Sequence, residues 1–154
     1  MIVIGIDPGK KGAVAAMPSA TGEILLHPMP SDAIELADLL AKYKGMDECH
    51  VFCEKSQSMP GQGVASTFQF GVGFGTILGI LAALRLPHTL VHPKTWCKVM
   101  HSGTKADDAK ARSLEAVRRL YPDVQLIRPR CRNPDLGFVD ALLICGYGKR
   151  ELKE

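Results

Sequence analysis

The five cysteines, Cys49, Cys53, Cys97, Cys131 and Cys145, are odd in number, and no two stand at Cys-x-x-Cys spacing. That pattern argues against a disulfide scaffold and a zinc site, and fits a reduced intracellular compartment: cytoplasm, nucleoid or an organelle matrix. Cys49 and Cys53 fall on one expected strand, where a four-residue offset keeps them on one face but too far apart to bridge. No basic n-region or cleavage site opens the chain, so no secretory signal is expected. The charge excess is only +3, which permits a polyanionic partner without requiring one. The length of 154 residues suits a single domain over residues 1–154 and is too short for two of ordinary size. Charged residues are absent from Val64 to Leu84, a stretch long enough to cross a bilayer. Its Ser66, Thr67, Gln69, Thr76 and four glycines, and its position between two strand-like segments, favour a crossover helix with no membrane partner.

What is present begins with Met1-Ile2-Val3-Ile4-Gly5-Ile6-Asp7-Pro8-Gly9. An apolar run ending in Pro-Gly reads as a buried strand, because Pro8 cannot donate to a ladder and Gly9 tolerates positive φ. Asp7 is thus expected at a strand end, where its charge needs a cap, a base or a metal ion as partner. Residues 12–17 and 23–27 read as two further strands of an antiparallel meander. Ser31 or Asp32 then caps a helix with apolar positions at Ile34, Leu36, Ala37, Leu39, Leu40 and Tyr43. The stretch 49–54 is a fourth strand, parallel to the first because a helical crossover delivers it. Glu54 ends that strand as Asp7 ends the first, and two like charges at one sheet edge persist where a divalent cation bridges them.

A polar, glycine-rich loop with Gln57, Met59 and Gln62 leads to the uncharged helix, where Gly71, Gly75 and Gly79 recur every four residues. A stripe this flat costs roughly 1 kcal/mol per glycine relative to alanine and implies close packing, either on the sheet or on a symmetry-related helix in a dimer. A fifth strand over 88–92 runs into Pro93-Lys94-Thr95-Trp96, a helix start. Gly103-Thr104-Lys105 is expected before the next helix (about 107–120), with a cation and free backbone N–H groups where a phosphate could dock; Lys94 and Lys110 belong to the same basic stretch. Arg128, Arg130 and Arg132 alternate through a loop, a spacing that suits phosphate contact or simple solvation. The last helix starts near Pro134-Asp135, and Asp140 sits one to two turns inside it, just before an apolar run that must face the sheet.

Taken in order, Ile4-Gly5-Ile6-Asp7-Pro8-Gly9, Glu54, Met59-Pro60-Gly61-Gln62-Gly63, Phe68-Gln69-Phe70-Gly71, Pro93-Lys94-Thr95-Trp96 and Asp140-Ala141-Leu142-Leu143 resemble the RuvC family of Holliday junction resolvases, in its phage-type or organelle-type branch. The resemblance implies an α/β, RNase H-like fold: a mixed five-stranded sheet, an antiparallel three-strand meander plus parallel strands, flanked by helices. It also implies a homodimer that binds four-way DNA junctions and cuts two strands symmetrically. Asp7, Glu54 and Asp140 would hold Mg²⁺, for which Mn²⁺ can substitute, with two ions per site. The family's fourth ligand lies three or four residues before the final Asp, where this chain has Gly137 and Leu136; the nearest acid is Asp135. Lys105 resembles a lysine near the scissile phosphate. Gln57 and Met59 are candidates to wedge between bases at the junction centre, and Gln62, Lys94, Lys110, Arg130 and Arg132 to contact DNA. Three other readings stay open. An actin-like ATPase needs two such domains, a non-catalytic junction binder would follow from a defective metal site, and an RNase H-like ribonuclease would cut RNA–DNA hybrids.

Overall fold

A computed structural model describes residues 1–55, 57 and 60–153. Its centre is β1 (Ile2–Asp7), which pairs antiparallel with β2 (Ala13–Pro18) on one side and parallel with β4 (Cys49–Glu54) on the other. Adding β3 (Leu25–Pro28) beside β2 and β5 (His88–Val91) beside β4 gives a five-stranded mixed sheet in the order β3-β2-β1-β4-β5. The antiparallel meander and the parallel strands of the expected fold class are both present.

The central strands of the sheet are buried on both faces, which is why β1 is apolar up to Asp7. Ile2, Ile4 and Ile6 point into one core, formed with α1 (Ala33–Met46) and α2 (Val64–Ala83). Each such burial contributes about 1.5–3 kcal/mol. Val3, with Phe52 of β4, faces the other core, built from α3 (Pro93–Met100), α4 (Ala109–Leu120) and α5 (Leu136–Glu151). Apart from the half-buried Asp140, helix α5 is buried from Gly137 to Gly148, as befits a helix sandwiched between a sheet and other helices. It rests directly on β1: a Cβ on Gly5 would collide with Ala141 O and Cys145 N, and Cys145 Sγ donates to Val3 O at 3.1 Å.

Asp32, not Ser31, caps α1, accepting from the N–H groups of Ile34 and Glu35. On that helix Leu36, Leu40 and Tyr43 are buried, whereas Ile34 is exposed. Helix α2 is the expected crossover between parallel β4 and β5, and it meets the core through Ile77 and Leu81. The sheet-packing reading of its glycines does not hold: Gly71, Gly75 and Gly79 have nothing within 4 Å of where a Cβ would stand. The stripe faces outward, as do Val64 (88% exposed) and Phe68 (67%). By length and composition α2 could also cross a membrane, which leaves a long apolar face uncovered in the single chain.

Candidate active site

Parallel pairing puts the carboxyl ends of β1 and β4 at one edge. Ile6 pairs with Cys53, so one step further brings Asp7 opposite Glu54. Alternation along the strands sends both side chains to the face that carries Val3 and Phe52, the face covered by α5. Helix α5 enters at the same edge: Gly137 packs against the backbone of Lys11 and Gly12 in the β1–β2 turn, and Asp140 follows one turn later. Asp7, Glu54, Asp135 and Asp140 are all half-buried.

Their charges act on one another. The Asp7 carboxyl is pushed up to about 8, first by burial and then by Asp140, Glu54 and Asp135. Burial also raises Glu54, opposed by a hydrogen bond from Trp96 and reinforced by Asp140. Asp140 is raised by burial and held back by the Ser113 hydroxyl and the nearby Lys110 ammonium. Two thiols sense the same field: Cys97 is pushed up to about 12 by burial, Asp140 and Glu54, and Cys53 to about 12 by burial, Glu54 and Asp7.

Among the described residues, the three acids other than Asp7 each have a neighbour that steadies them. Trp96 Nε1 donates to Glu54 Oε2 at 2.7 Å. Asp135 caps α5, accepting from Phe138 N–H at 3.0 Å, and forms an ion pair with Arg128, whose guanidinium lies 5.2 Å from the centre of the Phe138 ring. Ser113, buried on α4, is also bonded to His101 Nε2 at 2.9 Å, and the His101 ring meets Trp96 edge-on at 5.6 Å.

Among the described residues, no three His, Cys, Asp or Glu side chains converge closely enough, as they stand, to hold an ion. The donor chemistry nonetheless fits Mg²⁺ or Mn²⁺. The set is entirely carboxylate, and burial, reinforced by the other three acids, pushes Asp7 up to about 8.

Several sequence expectations change here. Gly103-Thr104-Lys105 does lie in the loop before a helix, but α4 starts at Ala109 with Asp108 as its cap, so the triplet is not at the helix N-terminus. The N–H groups of Lys105 and Ala106 are also not free for phosphate, because the Glu115 carboxylate accepts them at 3.1–3.2 Å. The cation that offsets Asp140 is Lys110, in the first turn of α4. Arg128 is committed to Asp135, whereas Arg130 and Arg132 are exposed. Lys94 and Lys105 are exposed, Gln57 is exposed beyond β4, and Gln62 is half-buried just before α2. Met59 lies outside the described residues. Sequence reasoning gave no role to Trp96, His101 or Ser113. The only available signals were that Trp96 is the sole tryptophan and that Ser113 interrupts the apolar side of α4.

No family model matches the chain, and no curated protein matches it by sequence. Solved structures do match. T. thermophilus RuvC in complex with a Holliday junction substrate aligns over 99% of this chain and 95% of that one, at 17% identity and a TM-score of 0.64. A second Thermus thermophilus RuvC structure aligns over 98% and 96%, at 19% identity and a TM-score of 0.56. At these identities the likeness is one of fold. The chain has an α/β, RNase H-like fold of the form seen in RuvC.

Proposed function

We propose that this protein is a structure-selective endodeoxyribonuclease that resolves four-way DNA junctions by paired, metal-dependent phosphodiester cleavage as a homodimer. The observation that carries this reading is the crowding of Asp7, Glu54, Asp140 and Asp135 at the carboxyl edge of a RuvC-like sheet, where Asp7 is pushed up to about 8. Crowded, half-buried carboxylates lower stability unless a cation or a reaction makes use of them.

On this reading Asp7, Glu54 and Asp140 hold Mg²⁺, with Asp135 joining them on release from Arg128. A bound Mg²⁺ supplies Lewis acidity and lowers the pKa of attacking water. The remaining work falls to the chain. Trp96 fixes the Glu54 carboxylate through its 2.7 Å hydrogen bond, and Ser113 fixes Asp140. Lys110, together with Lys105 on its loop, offsets charge on the phosphate at the scissile position. Gln57 and Met59 engage unpaired bases at the junction centre, while Gln62, Lys94, Arg130 and Arg132 contact the DNA. A cleft of about 730 Å³ beside α3 adds Lys98 and Arg150 to Lys94 and, among the described residues, is lined by no acid, which suits a polyanion.

The uncovered apolar face of α2 supports the homodimer, since contiguous exposed apolar patches mark interaction sites. A second reading, a junction binder without cleavage, draws on Asp135 being tied to Arg128 and on Gly137 having no room for a side chain. Incubating a labelled four-way junction with Mg²⁺ separates the two: paired nicks support the nuclease, and a stable complex with intact strands supports the binder.

A further inference from the structure

Helices α3 and α4 contribute no carboxylate to the site, yet they hold the partners of two. Trp96 on α3 donates to Glu54 at 2.7 Å, and Ser113 on α4 lies near enough to Asp140 for its hydroxyl to hold that carboxyl's pKa down. One residue joins these partners. His101, the residue that ends α3, meets the Trp96 ring edge-on, with centroids 5.6 Å apart and planes at 86°, and its Nε2 lies 2.9 Å from Ser113 Oγ. The Ser113 hydroxyl has one hydrogen. If that hydrogen points to Asp140, His101 Nε2 must be the donor to Ser113 Oγ, which excludes the Nδ1–H tautomer and leaves the neutral Nε2–H form or the imidazolium.

The surroundings of His101 favour that neutral form. Burial and the Arg112 guanidinium both lower its pKa. Its main chain is anchored as well: His101 N–H donates to Cys97 O at 2.9 Å, and Thr104 N–H and Oγ1 donate to His101 O at 3.0 and 2.6 Å. The ring is thus presented from a held backbone rather than from a free loop.

We infer that His101 is the shared positioning residue of the site, setting Glu54 through Trp96 and Asp140 through Ser113, so that two carboxylates from different elements are oriented together for a divalent cation. This rests on the metal-dependent reading above. It goes beyond that reading by assigning the alignment of both acids to a residue that touches neither. Partners of this kind orient ligands, and their loss typically weakens metal binding 10- to 100-fold.

The sole tryptophan provides the readout, because Trp96 contacts both Glu54 and His101. Mn²⁺ is titrated into the DNA-free full chain while Trp96 emission is followed, and junction binding is measured separately in EDTA. His101→Ala is expected to raise the Mn²⁺ dissociation constant about tenfold and to leave junction binding in EDTA unchanged. His101→Gln keeps a donor for Ser113, His101→Phe keeps a ring edge for Trp96, and each is expected to recover part of the loss. These two variants preserve the volume, so the comparison stands even if His101→Ala does not fold. Wild-type Mn²⁺ affinity in all three variants overturns the role of His101 alone. A wild type with no saturable Mn²⁺ response overturns the metal reading and this inference together.

Discussion

The indole N–H of Trp96 donates to Glu54 Oε2 at 2.7 Å, across 42 residues of sequence. It is the contact that lowers the pKa of a carboxylate otherwise raised by burial. Trp96→Phe keeps an aromatic ring in the core but removes this donor. The expected cost is about 1–3 kcal/mol of stability, read as a lower Tm, with a 10- to 100-fold drop in metal-dependent cleavage. Full activity in Trp96→Phe would mean that Glu54 needs no fixed orientation.

Asp7 carries the largest penalty. Its folded pKa of about 8 stands above the ordinary 3.8, so the folded state binds a proton that the unfolded state releases. Its contribution to stability is therefore complete below about pH 4 and is lost as pH rises toward and through 8. Asp7→Asn removes that pH dependence. In EDTA the variant is expected to melt above the wild type by several degrees at pH 8–9, with the difference shrinking toward pH 5, while junction cleavage is abolished and junction binding is spared. Melting curves across this range check the sign, and a variant that melts below the wild type at pH 9 contradicts it.

The ends of β1 and β4 were legible because a buried strand that stops at a carboxylate and a turn is a local pattern, and the crossover fixes the strands as parallel. Asp140 was legible for a similar reason, as a charge set against an apolar helical run. The partners were not. Trp96 reaches Glu54 from another element, and Ser113 reads in sequence as a neutral helix residue. The backbone N–H groups at Lys105 looked free because nothing local indicates that Glu115, ten residues on, will take them. The glycine stripe of α2 was ambiguous, since an apolar helix carries the same pattern whether it packs on its own sheet or awaits a partner.

That stripe gives a test of assembly. Gly75 has open space around it in the single chain, so Gly75→Leu fits without strain and gains about 1 kcal/mol of helix propensity. Sedimentation is expected to show a wild-type dimer and a Gly75→Leu monomer that is no less stable. An unchanged dimer removes the stripe from the interface.

Gly137 stands where the resemblance calls for a metal ligand, and it is pressed against Lys11 and Gly12. Gly137→Asp therefore does not restore a ligand. The new side chain must push the β1–β2 turn away, at a cost on the order of 1–3 kcal/mol, and the variant is expected to melt lower and to cut no faster than the wild type. A faster Gly137→Asp enzyme would show that the turn yields readily and that the site lacks an acid at this position.

The most direct test is cleavage of a labelled four-way junction beside a linear duplex and an RNA–DNA hybrid, each with Mg²⁺ and with EDTA. The expected result is paired, symmetric nicks in the junction alone, lost in EDTA. Cutting of the hybrid, or binding of the junction with every strand intact in Mg²⁺, would contradict the account.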